Sequence, residues 1–277
     1  MIEKKVKETI KKYKLADKKE KIIVACSGGK DSTTALYLLK KFGYNVEALL
    51  INLSMGKWFQ ENVDNLKNFC EKNKINLHIV DIKDELGCSI CYARSVIQEK
   101  KKLSNCMICG VIKRWLLNKK ARELGAKKLA TGHNLDDEAQ SIMMNIILGN
   151  PEIGINMGPK VGTITDKKLV QRIKPLYFLT NNEIKKYTKQ KKFKISYSSC
   201  PCSEHAFRRL IYNELNKIEK TNPKVKMNIV KSFLKILPEI RKKYKVNENL
   251  EYCEKCGEPS RNKICKRCIL LETSFRH

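Results

Sequence analysis

The sequence predicts an α/β protein built on a parallel sheet covered on both faces, and three observations carry that expectation. Short apolar runs alternate with amphipathic helical stretches along the first two thirds of the chain. One of those runs, Ile22 to Cys26, breaks into Ser27-Gly28-Gly29-Lys30-Asp31-Ser32 and then a helical pattern (Ala35, Leu36, Leu38, Leu39, Phe42). The last thirty residues carry two close cysteine pairs in place of an apolar pattern.

Taken in order, residues 1–14 read as a basic amphipathic helix with Ile2, Val6 and Ile10 on one face. Strands follow at 22–26 and 46–51, with a helix at 58–73 that turns Trp58, Val63, Leu66, Phe69 and Cys70 inward. A third strand spans 77–81, and a long helix spans 107–124 with Ile108, Val111, Ile112, Trp115 and Leu116 on one face. A fourth strand at 128–131, a helix at 135–148 and a strand at 169–174 close the set. Strands spaced by helices of this length require crossover connections and therefore a parallel sheet. Pro175 marks the exit, so residues 1–178 are expected as one unit. Residues 179–246 read as a smaller basic helical layer. Thr180 and Glu183 open it as a capping box, and helices follow near 203–219 and 223–236. Residues 247–277 form the third unit.

Composition narrows the function. With 57 basic against 29 acidic residues, the net charge is +28. Lysine enrichment alone can reflect adaptation to heat, but so large an excess over acids points to a polyanionic partner, nucleic acid first. Lys185, Lys186, Lys189, Lys191, Lys192 and Lys194 follow one another without an intervening acid. An apolar content of 42% supports a true core. No apolar run is long enough to span a bilayer, and the N-terminus lacks a signal-type apolar region, so a cytoplasmic protein without a membrane partner is expected.

The hexapeptide at 27–32 reads as a phosphate cradle. Glycines allow a tight turn with N–H groups facing an anion, and the following helix adds its positive end. Lys30 adds a point charge, and Ser27 and Ser32 add hydroxyl donors. The plainer alternative is a glycine turn between a strand and its helix. The spacing is not that of a Walker motif.

Twelve cysteines are present, ten of them in close pairs, and in a reducing compartment such pairs point to metal or redox sites. Cys253-x2-Cys256 and Cys265-x2-Cys268 offer four thiolates from two turns, the donor set of a structural Zn²⁺ ribbon. Cys106-x-x-Cys109 stands at a helix start, which favours thiolate and metal binding. Alone it leaves zinc, redox and iron–sulfur chemistry open. Cys26 and Cys70 read as core residues, and Cys88 and Cys91 form a pair without an evident partner.

Several motifs together carry a family resemblance. The hexapeptide resembles the PP-loop of the ATP pyrophosphatase superfamily, with its adenine nucleotide alpha hydrolase-like fold. Cys106-x-x-Cys109-Gly110-Val111-x-Lys113-Arg114, the run Thr131-Gly132-His133-Asn134-Leu135-Asp136-Asp137-Glu138, Arg172-Ile173-Lys174-Pro175 and Cys200-Pro201 resemble tRNA 2-thiolation enzymes of the TtuA and wobble-uridine types, with TtcA-type enzymes as relatives. The resemblance spans about residues 20–277. It implies an ATP-dependent tRNA uridine 2-sulfurtransferase that adenylates the uridine C2 oxygen and replaces it with sulfur. It implies ATP on Ser27, Gly28, Gly29, Lys30, Asp31 and Ser32, with Gly132 and His133 beside the nucleotide, and Mg²⁺ on the phosphates. It implies a [4Fe–4S] cluster on Cys106, Cys109 and Cys200, and catalytic roles for Lys113 and Asp137 beside Lys30 and Asp31. Asp136 is a weaker candidate, since helix capping explains it equally. The basic layer and the zinc ribbon are then expected to hold tRNA. The sulfur donor stays open among sulfide, a persulfide and a ubiquitin-like thiocarboxylate, and a homodimer stays open as well.

The sequence departs from that family twice. Its usual N-terminal zinc finger is missing, and Cys202 stands where an aromatic residue commonly follows Cys-Pro. Cys202 therefore reads as a spare thiol, a sulfur carrier or a fourth cluster ligand. Two other readings are a PP-loop tRNA-modifying ligase without sulfur chemistry, which needs no cysteine trio, and a non-catalytic RNA-binding or cluster-scaffold protein, which needs no intact phosphate loop.

Overall fold

The structure, a computed structural model, describes residues 1–161, 166–197, 200, 202, 207–244 and 250–275. Its centre is a sheet of β1 (Lys21–Cys26), β2 (Asn45–Asn52), β3 (Leu77–Asp81), β4 (Lys128–Thr131), β5 (Lys160–Val161) and β6 (Gln171–Ile173). The order across the sheet is β3-β2-β1-β4-β6-β5. All neighbours are parallel except β5 with β6. Chain order reverses between β1 and β4, so the switch-point crevice opens at the carboxyl end of β1, where the phosphate loop begins.

The strands bury both faces. Ile22, Val24 and Cys26 join one core cluster, and Ile23 joins another with Leu49, Ala121, Leu129 and Val170. The first face is covered by α1 (Ile2–Tyr13), α2 (Lys30–Lys41), α3 (Lys57–Lys72) and α8 (Asn181–Gln190). Val6 and Leu15 are fully buried, so the N-terminal segment is core and not a solvated arm. Thr180 and Glu183 make the expected capping box, and Lys5 ties α1 to it through Glu183 at 2.5 Å. Trp58 belongs to α3, but its side chain lies outside the described residues.

Two short helices, α4 (Ile82–Leu86) and α5 (Ile90–Lys100), fill the stretch around Cys88 and Cys91 that carries no clear periodicity. The long helix is α6 (Asn105–Glu123), N-capped by Ser104. The expected strand at 169–174 is trimmed to Gln171–Ile173, and the sheet continues to β5, whose two residues are too few to read from a pattern.

A second core joins α7 (Leu135–Ile147) to α9 (Phe207–Thr221) and α10 (Val225–Lys243) through Ala139, Ile142, Tyr177, Leu215, Val230 and Phe233. The segment 203–206, expected at the start of α9, lies outside the described residues. Helix α10 runs past its expected end at 236 and through Pro238, because Phe233 and Leu237 anchor it while Pro238 faces solvent. The C-terminal segment folds as β7 (Glu251–Tyr252), antiparallel to β8 (Pro259–Ser260), and α11 (Lys266–Phe275). It is docked rather than free. Helix α11 packs on α5 and α6, the Arg122 guanidinium pairs with Glu258, Lys168 donates to the Gly257 carbonyl at 2.6 Å, and Arg267 lies 4.4 Å over the Trp115 ring. Among the described residues, no helix is long and apolar enough to cross a membrane.

Candidate active site

The phosphate loop leaves β1 and enters α2 at Lys30. Gly28 has φ +76°, and a Cβ there would lie 2.4 Å from the Asn62 carbonyl oxygen, so conformation and space both demand glycine. Gly29 differs from the expectation of two permissive glycines. It caps α2 in extended geometry, and a Cβ would meet nothing nearer than Ser27 Oγ at 3.6 Å. Ser32 Oγ accepts from the Ser27 N–H at 3.2 Å and closes the loop on itself.

Lys30 is held rather than free. Its ammonium donates to Asp31 Oδ1 and Oδ2 at 2.8 and 2.7 Å and to Asn181 Oδ1 at 2.7 Å. Asn134 Nδ2 donates to the same Asp31 and Asn181 oxygens, at 3.0 and 3.1 Å. A lysine has three donors, so binding phosphate requires it to exchange one of these partners. Burial raises the Asp31 carboxyl above its usual range while Lys30 opposes the shift. Asn134 and Asn181 carry no site signal of their own in the sequence. Asn134 stands there within the Thr131–Glu138 motif without a role of its own and proves to cap α7, and Asn181 follows the Thr180 cap.

The Thr131–Glu138 run reaches the loop from β4. A Cβ on Gly132 would sit 2.6 Å from the Ser32 backbone nitrogen, so this glycine lets the start of α2 press against β4's exit. Asn134 and Asp137 form a capping box on α7. Asp137 keeps Oδ1 toward Arg208 at 3.6 Å and remains partly exposed. Asp136 is 4% exposed and fully engaged, accepting from Lys226 Nζ at 2.6 Å and the Asn181 N–H at 2.8 Å. Its work is to bind α7 to α10 and α8.

Cations crowd this cleft. His133 opens to solvent at its mouth, yet its imidazole is lowered to about 3, by the surrounding protein first and then by Lys174, Arg208, Arg172 and Lys113. Burial and the neighbouring Arg114 lower Arg172 in turn. Among the described residues, the electrostatic neighbours of Arg114 and Arg172 include no carboxylate, which leaves the pair suited to an incoming anion. The two arginines stand in the sequence motifs without an assigned role.

Two of the cluster candidates stand at the start of α6. Cys106 and Cys109 lie one turn apart on one helix face. Cys200 faces Cys109 and Cys202, and burial pushes its thiol up. A Cβ on Gly110 would lie 2.9 Å from Arg114 Nη1, so this glycine admits the guanidinium beside Cys109. An isolated parallel bridge joins Gly29 to Ser196. The phosphate loop is thereby tied to the segment that reaches Cys200 four residues later, at most ~14 Å of chain. The only described sulfurs that converge as for a single ion, within 4.8 Å, are Cys253, Cys256, Cys265 and Cys268. In the ribbon, backbone N–H groups outweigh burial and bring the Cys253 thiol to about 6, while burial pushes Cys256 and Cys265 up; the four sulfurs are the donor set of a structural Zn²⁺ site.

A phosphate-binding loop at the switch point of a parallel sheet defines this chain as a nucleotide-binding α/β protein. The chain belongs to the PP-loop domain family, whose model matches residues 1–219. It is 37% identical over 270 residues to the tRNA-5-methyluridine(54) 2-sulfurtransferase of Pyrococcus horikoshii, covering 96% of this chain and 83% of the relative. It is 31% identical to the cytoplasmic tRNA 2-thiolation protein 1 of Aspergillus niger, covering 98% and 80%. The solved U34-tRNA thiolase NcsA of Methanococcus maripaludis, with its [4Fe-4S] cluster, superposes with a TM-score of 0.77 at 31% identity, over 92% of this chain and 85% of that one.

Proposed function

We propose that the chain is an ATP-dependent tRNA uridine 2-sulfurtransferase. One observation supports the reading most: a bridge ties Gly29 of the phosphate loop to Ser196, four residues before Cys200, and Cys200 in turn acts on Cys109. The Pyrococcus horikoshii and Aspergillus niger relatives act on tRNA by name.

ATP binds with its phosphates on the N–H groups and hydroxyls of residues 27–32, and Lys30 exchanges a partner to meet them. Asp31 and Asp137 offer the hard oxygen donors that Mg²⁺ takes. The uridine C2 oxygen attacks the α-phosphate, pyrophosphate leaves, and the oxygen departs with AMP when sulfur takes its place. Positioning and charge neutralisation dominate such chemistry, and the cations at 113, 114, 172, 174 and 208 supply both. Lys113 and Asp137 take the catalytic roles, with His133 kept neutral beside them. A [4Fe–4S] cluster held by Cys106, Cys109 and Cys200 supplies the sulfur-handling chemistry. The basic helical layer of residues 179–246 and the zinc ribbon of residues 247–277 hold the tRNA.

Pyrophosphate release from ATP tests the first half. It should require tRNA and be lost in Lys30→Ala and Asp31→Ala while both variants stay folded. Unchanged release in both would contradict the assignment of the ATP site, and no release from the native protein would favour a non-catalytic scaffold.

A further inference from the structure

Three cysteines outside the zinc ribbon and the trio lie in the same region: Cys88, Cys91 and Cys202. Two of them meet at one cation. Cys91 and Arg94 are three residues apart on α5, hence on one face. Arg94 is 7% exposed, and its Nη2 donates to Cys91 Sγ at 3.1 Å. The same guanidinium acts electrostatically on Cys202 and Cys109. Its Nε is buried and has no partner. A buried cation with an N–H to spare offers a charge-assisted hydrogen bond to a sulfur placed beside it. Exposure falls along this arrangement: Cys91 is exposed, whereas Cys202 and Cys109 are half-buried. One cation thus reaches from a solvent-facing thiol to a cysteine of the trio.

We propose that Cys91, held by Arg94, is an acceptor site for sulfane sulfur, taking it from persulfide or polysulfide donors. The inference rests on the sulfur-transfer reading and adds to it the class of donor and its point of entry. The Cys91 sulfur attacks the outer sulfur of R–S–SH. The S–S bond of the donor breaks, Cys91–S–SH forms, and the donor leaves as R–SH with the proton from Cys91. The sulfane sulfur keeps its oxidation state, so no oxidant or reductant enters. The new terminal sulfur lies against the guanidinium, which still has Nε to offer. Cys88 is the natural control. Burial pushes its thiol up, and a backbone N–H of Ala93, not a cation, faces it.

The test is site-resolved mass spectrometry of the anaerobically prepared full chain after exposure to a small alkyl persulfide in one arm and inorganic polysulfide in another. The added sulfur is expected on Cys91 in both arms, and Cys91→Ser, an exposed and nearly isosteric change, removes it. Labelling in one arm alone identifies the donor and upholds the site. Losing a charge-assisted hydrogen bond should lower Cys91 labelling about tenfold in Arg94→Met, with partial recovery in Arg94→Lys. Cys200→Ala separates the two readings. Labelling of Cys91 that survives there upholds the acceptor site whatever the fate of the iron. Labelling absent from Cys91, spread evenly over Cys88, Cys91 and Cys202, or indifferent to Arg94 overturns it.

Discussion

Gly28 and Gly29 look equivalent in the sequence and are not. Gly28→Ala combines positive φ with a Cβ 2.4 Å from backbone, so it should cost at least about 1–3 kcal/mol and weaken ATP binding. Gly29→Ala, with open space, should stay within about 1 kcal/mol. Denaturant titration beside nucleotide affinity reads both, and equal costs would contradict the loop geometry. The neighbouring acids divide in the same way. Asp136→Asn removes one of the two carboxylates on buried Lys226, which keeps Glu219 at 2.8 Å and Asn216 at 2.6 Å, and should cost about 1–3 kcal/mol. Asp137→Asn removes one cap partner and should cost about 1 kcal/mol, yet abolish thiolation. Sequence motif alone makes these two residues hard to tell apart, because the partner that decides the matter, Lys226, lies 90 residues away. His133 gives a pH signature. The folded state refuses a proton that the unfolded chain accepts near 6.5, so stability should fall as pH drops below 6.5 toward about 3. Its imidazole NMR signals should stay flat through 6.5, and a midpoint there would contradict the cationic cleft.

At the level of elements, the strands and helices that carry the phosphate loop were legible because β1, β2 and α2 are long, apolar in the right period, and joined by strong turn chemistry. The α4–α5 stretch was not. Its cysteines and short helices blur any 3.6-residue pattern, and only tertiary packing on α11 and α6 defines it. That packing has a consequence for the ribbon. Because α11 braces α5 and α6, which bear Cys91, Cys106 and Cys109, a metal on the four ribbon cysteines would steady those helices. Removing zinc, by chelation or Cys253→Ser, should therefore lower Tm and speed amide exchange in α5 and α6 while β1 and α2 stay protected. Unchanged exchange in α5 and α6 would mean that the ribbon is a passive appendage. The cysteine trio itself was legible only as a motif. The approach of Cys200 to Cys109 depends on the chain crossing back from α8 past Gly29, which no local pattern encodes.

Across the whole molecule, the +28 charge resolves into two settings. One is the cleft, where Lys113, Arg172, Lys174 and Arg208 act at close range on His133. The other is the open surface, where Lys185, Lys186, Lys189, Lys191, Lys192 and Lys194 are all exposed. The latter should act through counterion release. Replacing four of them by Gln should flatten the slope of log affinity for tRNA against log salt, by roughly 0.7–0.9 for each phosphate no longer neutralised. An unchanged slope would remove this face from the tRNA interface. The central claim joins both ends of the cleft in one reaction, and one measurement addresses it most directly. Anaerobic protein, tRNA, ATP and a sulfur source are combined, and thiouridine formed in the tRNA is quantified by mass spectrometry beside the iron bound per chain. The native chain should bind about four irons and form thiouridine only with ATP. Cys106→Ala, Cys109→Ala and Cys200→Ala should each lose iron and product together while still binding ATP. A Cys200→Ala chain that forms thiouridine at the native rate without iron would contradict the account.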